Sequence, residues 1–202
     1  MLLVDNLKNM ALYVSIIGGF CVLLTAWLVG SYFRRAHDNL VEARESCDAA
    51  WGNVGVLLQR RHDQVGNLIE IADEYMSMEQ NILAGMVEAR ESAIDASTPA
   101  EAAMTQVNVR ESVREFYSIA EETPELRTDE KFDDVRDALE TIEQRLENRR
   151  EYYNDTVRRY NALLQQIPER YFAAHRGYEP RDSFEADEAA TEEFSVRDRL
   201  QN

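Results

Sequence analysis

The stretch AWGNVGVLLQRRHDQVGNLIE, residues 50–70, can be read as an active site or as a length of helix, and the choice decides the fold. It carries Gly52, Gly55 and Gly66, the arginine pair Arg60-Arg61 and the pair His62-Asp63 among residues that otherwise suit a helix core. Trp51, Val54, Leu58, Val65 and Leu68 follow an alternating three-and-four register, which puts them on one helical face. His62 and Asp63 are then about 100° apart around the axis, so they do not face one point as a metal site or an acid–base pair would require. Each glycine inside a helix costs roughly 1 kcal/mol relative to alanine, so three of them imply a compensating close approach of another helix or a kink.

The register extends outward from this stretch. It includes Leu40 and Cys47 upstream and Ala72, Tyr75, Ile82, Met86, Ala89 and Ala93 downstream, with Arg44, Arg61 and Glu79 as polar interruptions. It passes straight through Gly66 and predicts one continuous or gently kinked helix. A second helix starts at the cap Ser97-Thr98-Pro99, carries Ala102, Val109, Val113, Phe116 and Ala120 on one face, and ends near Thr123-Pro124. A third begins at Thr128 or Asp129 and holds Phe132, Val135, Leu139, Ile142, Leu146, Tyr153, Tyr160 and Ile167 in heptad phase, with Arg149 and Thr156 as exceptions and Pro168 at its end. A short helix around Arg170 to His175 follows. With no strand signal, the fold class is all-α: an antiparallel bundle of long, coiled-coil-like helices.

Ala11 to Phe33 contains no charged residue, and its 23 positions suffice to cross a hydrocarbon core of about 30 Å as a helix. The run is too long for a signal-peptide core and lacks a small-residue cleavage pattern, so it reads as a single transmembrane helix from which the bundle grows. Arg34-Arg35 at its end place the C-terminal bulk in the cytoplasm and the short N-terminus outside the cell membrane. The expected organisation is a tail over 1–10, the span over 11–33, the bundle over 36–178 and an acidic, disordered tail over 179–202, in which Phe184 and Phe194 are apolar anchors that could dock.

Charge and motif content narrow the function. The chain has 38 acidic and 22 basic side chains, net -16, which argues against nucleic acid as a partner. Only Lys8 and Lys131 are lysine, a halophile-like bias suited to carboxylates screened by salt. Two cysteines, Cys21 and Cys47, cannot form a disulfide framework or a four-ligand zinc site. None of His37, His62 and His175 has a glutamate three residues before it, so the pairs of a carboxylate di-metal bundle are missing. No nucleophile elbow or phosphate loop occurs. The expectation is no catalytic residue, no metal and no cofactor. The guanidinium groups of Arg61 and Arg149, at core-like positions, are expected to be partly covered and to meet carboxylates or carbonyls.

Two separated motifs carry a resemblance. Residues 50–70 are similar to the signature of the LemA family, in which an Ala-Trp-Ser-Asn-Ile stretch leads into Leu-Lys-Arg-Arg-His-Asp and then Pro-Asn-Leu-Val-Glu. Downstream, Tyr153-Asn154 and Tyr160-Asn161, seven apart, then Ile167-Pro168 and Gly177-Tyr178, resemble that family's Tyr-Asn repeat and its Phe-Pro and Gly-Phe landmarks. Gly66 replaces the family's usual proline, Gly55 stands where an aspartate is common, and arginine replaces most lysines. The resemblance implies a membrane-anchored helical bundle without an established enzymatic activity.

The candidate partner or packing residues are therefore Trp51, Arg60, Arg61, His62, Asn67, Tyr153, Asn154, Tyr160 and Asn161. The tyrosines read first as buried groups whose hydroxyls reach polar partners, and alternatively as a stripe that binds another protein. The leading functional expectation is a non-enzymatic scaffold or adaptor that holds a cytoplasmic bundle against the lipid bilayer for membrane or cytoplasmic proteins, including a second copy of itself. The alternative is a regulatory accessory subunit of a membrane enzyme such as a protease.

Overall fold

The computed structural model describes residues 2–75 and 80–185. Five α-helices account for nearly all of them: α1 (Leu2–Tyr75), α2 (Gln80–Asp95), α3 (Pro99–Ala120), α4 (Glu130–Leu163) and α5 (Glu169–Arg176), and no strand occurs among the described residues. The caps follow the local sequence. Thr98 and Glu101 form a reciprocal capping box ahead of Pro99, and Asp129 accepts the main-chain N–H groups of Lys131 and Phe132 at the start of α4. Gly177 ends α5 in the left-handed region, at φ 67°, where a side chain would be strained.

Helix α1 runs without a break through Gly66. Its N-terminal part holds a window apolar enough to cross a membrane, none of which is buried within the protein, and Phe20, Leu23 and Trp27 are exposed there. Its remainder forms one wall of the bundle. Trp51 stacks on Tyr153, and Arg61 pairs with Glu143, so α4 runs antiparallel to α1. Arg110 with Glu143 and Phe116 against Phe132 give α3 and α4 opposite directions as well. The core has two parts: Leu40, Cys47, Val54, Leu146, Val157 and their neighbours at the end next to the apolar run, and Val65, Leu68, Met86, Val109, Phe116 and Phe132 at the far end.

Two sequence expectations need correction. The register through Ala93 does not belong to one helix: α1 ends at Tyr75, and α2 folds back along it, with Arg90 donating from Nε to the His62 carbonyl at 2.9 Å. A three-and-four repeat states which face is apolar but not where the chain reverses. Folding back buries Met86 and Ala93 against α1 and α3, whereas a straight extension would leave them in water. The polar tail over 179–202 is likewise not free from its start. Residues 178–185 lie along α4, and Phe184 is only 1% exposed. One buried aromatic and a set of main-chain hydrogen bonds outweigh the low apolar content that suggested disorder. Phe194 lies outside the described residues.

Candidate functional site

The charged motif of residues 60–63 splits between solvent and core, as its helical spacing requires. Arg60 and Asp63 are exposed, the latter accepting a hydrogen bond from Gln59 at 3.0 Å, while Arg61 and His62 are buried. Arg61, 5% exposed, donates from Nη1 to Gln106 Oε1 at 2.9 Å and lies 3.1 Å from Glu143 Oε2. Arg110 holds the other oxygen of Glu143, donating from Nε at 2.9 Å and also from Nη2. With its Oε1 turned to Arg61, Gln106 presents Nε2 to His62 Nε2 at 3.3 Å, so the imidazole accepts and carries its proton on Nδ1. Burial, then Arg90 and Arg61, push the His62 pKa below its ordinary value and keep the ring neutral. Burial also lowers the Arg61 pKa, with Glu143 opposing it. This node joins α1, α3 and α4 through side chains that hydrogen-bond and pair with one another.

The same node forms one wall of an open cavity of about 370 Å³ between α3 and α4, lined also by Arg114, Tyr117, Arg136 and Leu139. Burial raises the Tyr117 pKa to about 12. Its hydroxyl is buried without a hydrogen-bond partner among the described residues.

The glycines behave differently from expectation. A β-carbon at Gly52 or Gly55 would meet nothing within 4 Å, so neither marks a close helix approach. Gly66 alone has a neighbour: the Arg90 guanidinium, 3.4 Å from where a β-carbon would stand, lies flat over it on its way to the His62 carbonyl. Asn67 is exposed and, among the described residues, donates to Gln64 at 3.4 Å. Arg149 is exposed and has no ion pair among the described residues, contrary to the expectation for it.

The Tyr-Asn repeat on α4 forms a clasp. Asn161 accepts the Arg181 N–H on Oδ1 and donates from Nδ2 to the Arg181 carbonyl, both at 2.9 Å. Asn154 grips Phe184 in the same way, at 2.8 and 3.4 Å. Tyr160 donates to the Glu179 carbonyl at 3.2 Å and Tyr153 to the Asp182 carbonyl at 2.9 Å. The spacing explains itself: seven helical residues advance about 10.5 Å, and three extended residues advance about 10 Å. A seven-residue repeat on the helix therefore meets a three-residue repeat on the strap, 179 and 182 for the tyrosines, 181 and 184 for the asparagines.

Burial raises the Tyr153 pKa to about 12 and also raises that of Tyr160, so both phenols remain donors. Trp51 covers the end of the strap, its ring 5.3 Å from Tyr153 and 6.0 Å from Phe184. Arg181 reaches across to Asp48 on α1 at 2.6 Å, and Arg44 stacks on Tyr178 at 4.5 Å. Cys47, in the core beneath, has its thiol pKa raised by burial. Sequence reasoning found the four α4 residues but missed Gln106, Arg110, Glu143 and Arg90, which join the node only through the packing of separate helices.

The sequence pattern of the LemA family matches residues 50–197, most of the chain, and spans both the node and the clasp. The chain belongs to the LemA family. No curated protein matches it. In this LemA-family chain, Trp51 and the two Tyr-Asn pairs meet at the clasp and Arg61 and His62 at the node, while Arg60 and Asn67 are left on the surface. Among the described residues, no three of His, Cys, Asp and Glu are grouped to hold a metal ion.

Proposed function

We propose that this LemA-family chain is a non-enzymatic scaffold in the cell membrane, with its short N-terminus outside and its bundle in the cytoplasm, where it presents exposed helical faces to partner proteins. The observation that carries the reading is the continuity of α1, which passes from a lipid-compatible segment into the bundle core without a linker. A bundle so joined keeps its near end close beside the bilayer, which suits holding partners at the membrane surface. The internal use of the titratable motif residues supports the same reading. His62 is buried, neutral and occupied by Gln106, and the phenols of Tyr153 and Tyr160 are committed to main-chain carbonyls. Arg34-Arg35 support the orientation.

The test is site-specific photocrosslinking in intact cells from exposed bundle positions such as Val56, Ile94 and Tyr152. Recurrent adducts with the same proteins from neighbouring positions support the scaffold; absence of adducts from every face rejects it.

A further inference from the structure

Beyond the apolar run, the two most exposed large apolar side chains among the described residues are Ile167 and Tyr171, each 67% exposed. They belong to one corner, where the chain leaves α4 and enters α5. That corner is fixed against α1 where the apolar run ends. Tyr32 donates its hydroxyl to the Ile167 carbonyl at 3.4 Å, and Phe172 lies edge-on to Phe33 at 6.2 Å and to His37 at 5.7 Å. The level of the corner along the membrane normal is therefore set by Tyr32 and Phe33. A core of about 30 Å takes some 20 helical residues. The 23 positions of Ala11 to Phe33 exceed this slightly, so Tyr32 and Phe33 reach the headgroup boundary, where tyrosine is favoured. Exposed basic residues flank the corner in a chain of net charge -16: Arg34 and Arg35 follow Phe33 on α1 and Arg170 precedes Tyr171 on α5, with the exposed Asp38 and the buried Glu169 as the neighbouring acids in sequence.

We propose that the α4–α5 corner is a second lipid-contact site: Ile167 and Tyr171 insert at the headgroup boundary of the leaflet that α1 leaves, and Arg34, Arg35 and Arg170 face its anionic headgroups. The occupant is the bilayer itself, because the patch is continuous with the end of the α1 run that is apolar enough to cross a membrane. An isoleucine and a tyrosine in water at this level would be unfavourable, whereas at the boundary the aliphatic chain meets acyl chains and the phenol keeps its hydroxyl hydrated. The contact would also fix the bundle's angle to the membrane, which a single helix leaves free to tilt.

This inference rests on the reading of α1 as a membrane span, and the test separates the two. The full chain with Cys21→Ala is reconstituted in nanodiscs of phosphatidylcholine and phosphatidylglycerol. A bimane label is placed on a cysteine introduced at Leu24, Ile94, Ile167 or Tyr171, and quenching is measured with headgroup-nitroxide and deep acyl-nitroxide lipids. We expect Leu24 to be quenched by the deep probe, and positions 167 and 171 to be quenched by the headgroup probe at least about threefold more than position 94, as for residues at an interface. Arg170→Glu should reduce the increment that phosphatidylglycerol gives at position 167. Quenching at 167 and 171 no greater than at 94, with Leu24 still quenched, overturns the lipid-contact site and leaves the span intact. Lack of quenching at Leu24 overturns both. Protection of 167 and 171 in native membranes but not in the lipid-only discs assigns the patch to a protein and overturns the proposal.

Discussion

Asn154 holds the main chain of Phe184 on both of its polar groups: its Oδ1 accepts the Phe184 N–H at 2.8 Å and its Nδ2 donates to the Phe184 carbonyl at 3.4 Å. A side chain that offers an acceptor and a donor in one plane can complete an extended strand that has no neighbouring strand. The strap of residues 178–185 is thus built as though it paired with a sheet edge, with a helix standing in for the sheet.

Asn154→Asp keeps the shape and removes the donor, placing a carboxylate against the Phe184 carbonyl and near Glu185. A loss of about 1–3 kcal/mol is expected, as for a buried hydrogen-bonding group left unpaired. Phe184→Ala should cost more, about 3–5 kcal/mol. Denaturant unfolding followed by circular dichroism measures both. Deleting residues 180–202 should lower the melting temperature clearly, in contrast to the small effect that the tail's composition alone suggests; unchanged stability in all three variants would mean that the strap is not held.

Arg61 is the buried cation of the node: it is the donor to Gln106 Oε1 and shares Glu143 with Arg110. Arg61→Ala leaves Gln106 Oε1 without its donor and Glu143 paired with Arg110 alone, and is expected to cost about 1–3 kcal/mol. Arg61→Lys should recover only part of this, because a single ammonium cannot reproduce the planar donor set. Replacing exposed Arg60 by alanine is the control and should change stability by no more than about 0.5 kcal/mol.

His62 makes stability depend on pH in a defined direction. Its folded pKa is lowered from 6.5, first by burial and then by Arg90 and Arg61. Below that ordinary value the unfolded chain takes up a proton that the folded chain refuses, so stability is lost as pH falls from 6.5 toward the folded pKa and is level above it. His62→Gln should flatten this part of the stability profile. An unchanged slope between wild type and His62→Gln would show that the ring is not held neutral by the node.

The phenols give the mirror case at high pH. Tyr153 and Tyr117 have pKa values raised to about 12 by burial. From pH 10 upward the unfolded chain releases protons that the folded chain keeps, so stability falls between 10 and 12. Ultraviolet titration should show Tyr153→Phe removing one late-ionising phenol.

Much of the fold is legible in the sequence, because it depends on local signals. Thr98-Pro99 and Asp129 mark helix starts, the apolar face from Ala102 to Ala120 is buried as spaced, and an uncharged run of the length of Ala11–Phe33 has few other readings. The reversal between α1 and α2 is not legible, since Ile82 and Met86 stay in phase with Leu68 whether the helix continues or folds back. The clasp is half legible. Seven-residue spacing puts Tyr153 and Tyr160 on one face, but their partners are main-chain groups of Glu179 and Asp182, which carry no side-chain signature. Gln106 and Glu143 look like ordinary surface polar residues until α3 and α4 pack around Arg61.

The scaffold reading depends on membrane attachment rather than on titratable groups, and one comparison separates these. Photocrosslinked adducts from position 152 are compared for the full chain, for residues 36–202 alone, for the same residues fused to an unrelated membrane span, and for His62→Ala in the full chain, each first checked for helical content. The scaffold predicts the same adducts from the full chain, the re-anchored bundle and His62→Ala, and their loss from the soluble bundle, whose effective concentration near membrane partners falls. Undiminished adducts from the soluble bundle, together with their loss in folded His62→Ala, would contradict it.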